Sequence, residues 1–73
     1  MSHPAIEPDE VGQVRTNGAT VHVGVCRVTF EDDEYVVYGE NDHRIGAVGA
    51  IENSNQHISR ELNSFIQMEH DEL

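Results

Sequence analysis

The chain has 73 residues and a mass of 8.2 kDa, with 14 Asp+Glu against 4 Lys+Arg, a formal net charge of −10 at pH 7 and a pI near 4.6. A chain this short buries only about 60% of the surface it exposes when unfolded, so one small core is all it supports, which argues against a self-contained enzyme with a deep pocket. Its charge is repelled by phosphate backbones and anionic lipid, which excludes direct nucleic-acid or membrane binding and favours basic protein surfaces as partners.

In chain order, residues 1–10 contain Pro4, Pro8 and three acids, with Ile6 the only sizeable apolar residue after Met1. This composition predicts a flexible acidic N-terminal arm ahead of a single small α+β domain at 11–73. The arm lacks the basic and apolar regions of a signal peptide. Asn17-Gly18 lies between Gln13–Thr16 and Ala19–Val23. That arrangement predicts a hairpin with a type I′ turn, Thr16 facing Ala19, Arg15 facing Thr20 and Val14 facing Val21. A long strand is then expected over Ala19–Phe30. Its alternation changes phase, with Val21, Val23 and Val25 on one face and Cys26, Val28 and Phe30 on the other. The phase change predicts a bulge or sharp coil at residues 24–26, where Gly24 tolerates unusual dihedrals, or else a strand buried on both sides in an oligomer.

A second hairpin is predicted about Glu31-Asp32-Asp33-Glu34, pairing Phe30 with Tyr35 and Val28 with Val37, with the four acids in a solvated loop. Residues 39–44 read as a polar loop. Ile45–Ile51 fits either a fourth strand or an early helical turn. Ile58, Leu62, Phe65 and Ile66 form one apolar stripe at helical spacing, opposite Gln56, Arg60, Asn63 and Gln67. Asn53 or Ser54 is placed to cap this helix. Glu69, Asp71 and Glu72 oppose the dipole at its end, which predicts a frayed last turn. The fold expected is α+β, a three- or four-stranded antiparallel β-meander with one C-terminal helix packed on one face.

Chemical motifs are sparse. All four basic residues are Arg, so Schiff-base chemistry on lysine is impossible. Cys26 is the only cysteine, which forbids an intramolecular disulfide, and it reads as a small buried hydrophobe. His22 and Cys26 offer at most two metal ligands, and the five histidines are scattered, without the paired short spacings of a zinc site. Gly46-x-x-Gly49 lacks the lysine and frame of a phosphate loop. No catalytic, cofactor-binding or metal-binding residue is therefore assigned, and the chain reads as non-enzymatic. Tyr35 is expected in the core and Tyr38 on the opposite face as a contact residue. The partner-binding set is Glu31, Asp32, Asp33, Glu34, Tyr38, Glu40 and Asp42. No apolar run approaches the roughly 18 residues of a membrane span, and a cytoplasmic location is expected. The C-terminal His70-Asp71-Glu72-Leu73 spells an endoplasmic-reticulum retention address, read here as a by-product of an acidic tail. A homodimer is expected, because the core is small and the strand at 19–30 is apolar on two sides.

Gly49-Ala50-Ile51-Glu52-Asn53-Ser54-Asn55-Gln56-His57-Ile58-Ser59-Arg60-Glu61-Leu62-Asn63 carries the pattern G-x-I-E-N, four residues, I-S-R, two residues, N. This segment resembles the last helix of a small phage anti-CRISPR protein that inhibits the type I-F surveillance complex. The resemblance implies a sheet beside helices and occupation of the basic face where that complex takes up target DNA; it carries over no functional residues. Two functional readings follow. One is an acidic inhibitor that occupies a basic, nucleic-acid-binding protein surface by charge mimicry. The other is a small homo-oligomeric structural or regulatory subunit of a halophilic organism, whose acidity is salt adaptation.

Overall fold

Between Glu7 and Gly18 the capping and charge signals favour a helix. Pro8 has the fixed φ of a first helical residue, Asp9 and Glu10 sit at the positive end of the dipole, Arg15 sits in the last turn, and a glycine follows. In a computed structural model describing residues 4–73, Pro8–Asn17 is accordingly a helix, α1. The Glu7 N–H donates to Glu10 Oε1 at 3.0 Å, closing the first turn. Gly18 is left-handed at φ 65° and its N–H donates to the Val14 carbonyl at 3.0 Å. The hairpin expected about Asn17-Gly18 is therefore corrected: the positive φ of Gly18 ends a helix and does not turn a strand. Residues 1–3 of the expected arm lie outside the described residues. Beyond them Ile6 is buried, with its N–H and carbonyl both bonded to the Asn63 side chain, at 2.8 and 3.1 Å. The boundary expected at residues 10 and 11 falls inside α1.

The remaining elements are β1 (Val21–Val23), β2 (Cys26–Glu31), β3 (Glu34–Tyr38), a short 3₁₀ turn (Glu40–Asp42), β4 (Arg44–Gly49) and α2 (Asn55–Asp71). The four strands form an antiparallel meander in the order β1-β2-β3-β4. With the C-terminal helix this is the expected α+β architecture, with α1 as a second helix. The long strand expected at 19–30 is instead two strands. Val23 pairs with Cys26 and Val21 with Val28, and Gly24, at φ 62°, is the only positive-φ residue of the two-residue turn. That is the pattern of a type II′ hairpin. The phase change read at residues 24–26 is thus a reversal of the chain, which brings Val21, Val23, Cys26 and Val28 onto one face. No two-sided strand remains to call for a partner.

The second hairpin has the register expected, Phe30 opposite Tyr35 and Val28 opposite Val37. Asp32 and Asp33 take φ of 51° and 62°, so two aspartates occupy the positions an Asn-Gly pair would favour. Residues 45–49 belong to a strand, settling the ambiguity there, and Gly46 lies under the Phe65 ring where any side chain would collide.

Helix α2 places Ile58, Leu62 and Ile66 in the core with Phe65 half-buried beside it, and Ser54 caps its start by accepting the His57 N–H at 3.1 Å. Burying each of these aliphatic side chains contributes about 1.5–3 kcal/mol. They share one cluster with Ile6, Val11, Val14, Val23, Cys26, Val28, Tyr35, Val37, Val48 and Ala50. Both helices therefore lie on the same side of the sheet.

Two variants check these positive-φ positions. Gly18→Val places a β-branched residue at positive φ and lowers stability by about 1–2 kcal/mol, read as a fall in Tm with the α1 amide signals still helical. Asp32→Asn combined with Asp33→Gly suits the type I′ dihedrals and relieves charge repulsion at the tip, so thermal melting shows a higher Tm.

Candidate interaction surface

Period-two alternation divides the central hairpin into two faces. Cys26, Val28, Phe30, Tyr35 and Val37 face the helices; Arg27, Thr29, Glu31, Glu34, Val36 and Tyr38 face away. Val36 is buried yet stands apart from the core cluster, flanked across the sheet by Thr29 and Ala47. Neither helix covers this outer face.

Its polar side chains are joined to one another. The Arg27 guanidinium lies 4.1 Å from the centre of the Tyr38 ring, and its Nε bonds Asp42 Oδ1 at 3.1 Å. The Tyr38 hydroxyl donates to Glu31 Oε2 at 2.7 Å, and the Thr29 hydroxyl donates to the same oxygen at 2.9 Å. A continuous line of contacts thus runs Asp42–Arg27–Tyr38–Glu31–Thr29 along the sheet. The hydrogen bonds from Tyr38 and Thr29 hold the Glu31 carboxyl below its usual pKa, and the bond to Glu31 pushes the Tyr38 phenol up.

The expected contact residues are thereby sorted into two ends. Glu31, Asp32, Asp33 and Glu34 are all exposed at the β2–β3 turn. Tyr38, Glu40 and Asp42 lie at the opposite end of β3, roughly 13 Å away at the usual strand rise. The Tyr38–Glu31 bond links the two ends. Tyr38 is half-buried, while Tyr35 is fully buried as expected.

At the Glu40 end the last turn of α2 is anchored, which corrects the frayed end expected there. Glu69 is buried and its Oε2 accepts the Glu40 N–H at 2.9 Å, while its Oε1 lies 3.4 Å from His43 Nε2. His43 Nδ1 lies 2.6 Å from the Glu40 carbonyl, so the ring bridges Glu40 and Glu69. His70 ties the same helix end to the β1–β2 turn: its Nε2 accepts the Val25 N–H at 3.1 Å and its Nδ1 faces the Ile66 carbonyl at 2.8 Å. These contacts outweigh the unfavourable dipole that the acids meet at this terminus.

The thiol and the histidines do not assemble into a reactive centre. Cys26 is buried, and burial together with the nearby Glu69 charge pushes its thiol pKa up, away from the reactive thiolate. Among the described residues no three His, Cys, Asp or Glu side chains come together as a metal site, and no helix is long and apolar enough to cross a membrane.

Reading the sequence missed Arg27 and Thr29, although they alternate with Glu31 on β2 and so share its face. It also missed Glu69, which lies seven residues after Leu62 and three after Ile66, on the apolar stripe. His43 and His70 carry no such signal. The segment 49–63 is only partly helical: Gly49 ends β4, residues 50–54 are a connection with a turn at Ile51 and Glu52, the latter at φ 69°, and α2 begins at Asn55. Within it the Asn53 amide donates to the Gly49 carbonyl at 2.8 Å. No protein-family model, curated protein or solved structure matches the chain.

Tyr38→Phe removes the shorter of the two bonds to Glu31, so the Glu31 pKa rises toward that of a free carboxylate in a side-chain NMR titration. In the intact chain that bond favours folding above the ordinary carboxylate pKa, and the contribution fades as pH falls through the lowered value. An unchanged Glu31 titration in the variant would show that the bond does not form.

Proposed function

We propose that this chain is a non-enzymatic acidic binding protein that occupies a basic, nucleic-acid-binding protein surface. The observation that carries this reading is the uncovered sheet face, with exposed acids at both ends and a pre-ordered Arg27–Tyr38–Glu31 line between them. A side chain already held by its neighbours loses less freedom on binding. Tyr38 presents a flat aromatic ring beside charge, the type of residue on which interfaces anchor. The acids spaced along this face offer a basic groove a series of negative charges in place of phosphates, and speed its capture by long-range attraction. The likeness of residues 49–63 to the type I-F inhibitors makes the DNA-uptake face of such a complex the first partner to try, with the chain as a phage-encoded inhibitor.

A pull-down from the native host, followed by titration of the captured partner with DNA, tests the proposal. Binding is expected to weaken on the order of tenfold or more between about 0.05 and 0.3 M salt, as the Debye length shrinks. DNA and this chain are expected to exclude one another from the partner, and the chain alone to leave DNA unbound. Charge reversal at Asp32 and Asp33 slows association. Direct binding to DNA, or a partner indifferent to both salt and DNA, would overturn the proposal in favour of a salt-adapted subunit, which would also unfold in low salt through self-repulsion.

A further inference from the structure

A meander leaves two strand edges, and they differ. β1 has three residues, too few to template another strand. β4 has six, Arg44–Gly49, with no proline, no lysine and no charge after Arg44. The Ala50 N–H bonds the Asp33 carbonyl at 2.9 Å, which sets the alternation of this antiparallel pair: residues 48 and 46 bond inward to β3, and residues 47 and 49 point outward. The outward Gly49 carbonyl is taken by Asn53. The N–H and carbonyl of Ala47 and the N–H of Gly49 have no partner among the described residues.

We propose that the β4 edge pairs antiparallel with the β4 edge of a second copy of this chain. The inference is independent of the binding role above. Two-fold pairing centred on Ala47 lets the two Ala47 residues exchange both backbone hydrogen bonds and joins two four-stranded sheets into one of eight. It sets Gly49 of one copy beside the Arg44–Ile45 irregularity of the other, where β4 slips against β3 near Tyr38. Charge then selects this occupant. Arg44 is exposed and shares the outer face with its cross-strand neighbour Tyr38. In the second copy it meets Gly49, above which space is open, and beyond Gly49 its cross-strand partner Glu34 on that same face. Two inter-strand spacings, about 10 Å, separate the Arg44 and Glu34 backbones, within reach of two extended side chains. Within one copy Arg44 faces Tyr38 and Glu34 faces Gly49, four residues apart along the pair, which leaves their backbones roughly 14 Å apart, so pairing between copies brings the two charges closer. The dimer merges the two open faces into one continuous surface.

Sedimentation equilibrium of the full chain at about 0.15 M salt tests this. A dimer is expected at micromolar concentration. Ala47→Pro removes an outward N–H without touching the β3 ladder, and gives a monomer with unchanged circular dichroism. Arg44→Glu, an exposed change that leaves the fold intact, weakens the dimer at least about tenfold, and Arg44→Glu with Glu34→Arg restores it. A wild-type chain still monomeric at about 100 µM, an Ala47→Pro chain that still dimerises, or a charge swap that fails to restore the Arg44→Glu dimer would each overturn the inference.

Discussion

The burial of Tyr35 governs how the rest of the chain is arranged. It is the largest fully buried side chain, and its hydroxyl needs a partner inside the core. The partner is the Val11 carbonyl at 3.2 Å, contributed by α1 from 24 positions away. Leaving that hydroxyl unpaired would cost about 1–3 kcal/mol, a large share of the stability of so small a domain. The Phe30 ring meets Tyr35 edge-on at 5.0 Å, and the Arg15 guanidinium covers Phe30 at 5.8 Å. Helix α1 thus supplies a hydrogen-bond acceptor, two core valines and a cationic lid to the same hairpin. With that, the burial is complete: no buried side-chain polar atom among the described residues lacks a partner.

The commitment of both helices to the Tyr35 face leaves the other face to water. A sheet face without a helix must be polar or be covered by another chain. Here Arg27, Thr29, Glu31 and Tyr38 satisfy one another across it, with Asp42 closing one end. Residues of β2 and β3 therefore hold the core on one side and order the exposed surface on the other. The same hairpin that makes the protein stable makes the surface on which its binding is proposed to rest. Four of the acids, Glu31 to Glu34, crowd the β2–β3 turn, while Glu40 and Asp42 stand at the other end of this face.

How much of this was legible depended on whether one local signal had one meaning. The β2–β3 register could be read because an aromatic pair and a valine pair agree on it. Helix α2 could be read because four apolar residues keep helical spacing. Asn17-Gly18 misled because the same dipeptide turns a hairpin and ends a helix, both using positive φ. The matched Val14 and Val21 then supported the wrong choice by coincidence. The less conspicuous signals, Pro8 at the first helical position and Arg15 at the last turn, pointed the other way. At residues 24–26 the alternation marks a break but not its kind, since a bulge, a sharp coil and a two-residue reversal all shift its phase. Of the candidate surface, the acids and Tyr38 stood out by composition, whereas Arg27 and Thr29 gain meaning only once β2 has a known face. Glu69 was hidden because a carboxylate in an acidic tail looks solvated until the Glu40 N–H that binds it is placed.

Which sheet face is open depends on α1 being a helix docked against Tyr35. Proton NMR measures it directly. Nuclear Overhauser effects from the Tyr35 ring to Val11 and Val14, with sequential amide contacts through residues 9–17, are the result predicted. Cross-strand contacts between Thr16 and Ala19 and between Val14 and Val21 would contradict it, because residues 13–23 would then form a hairpin and the face assigned to binding would no longer be defined.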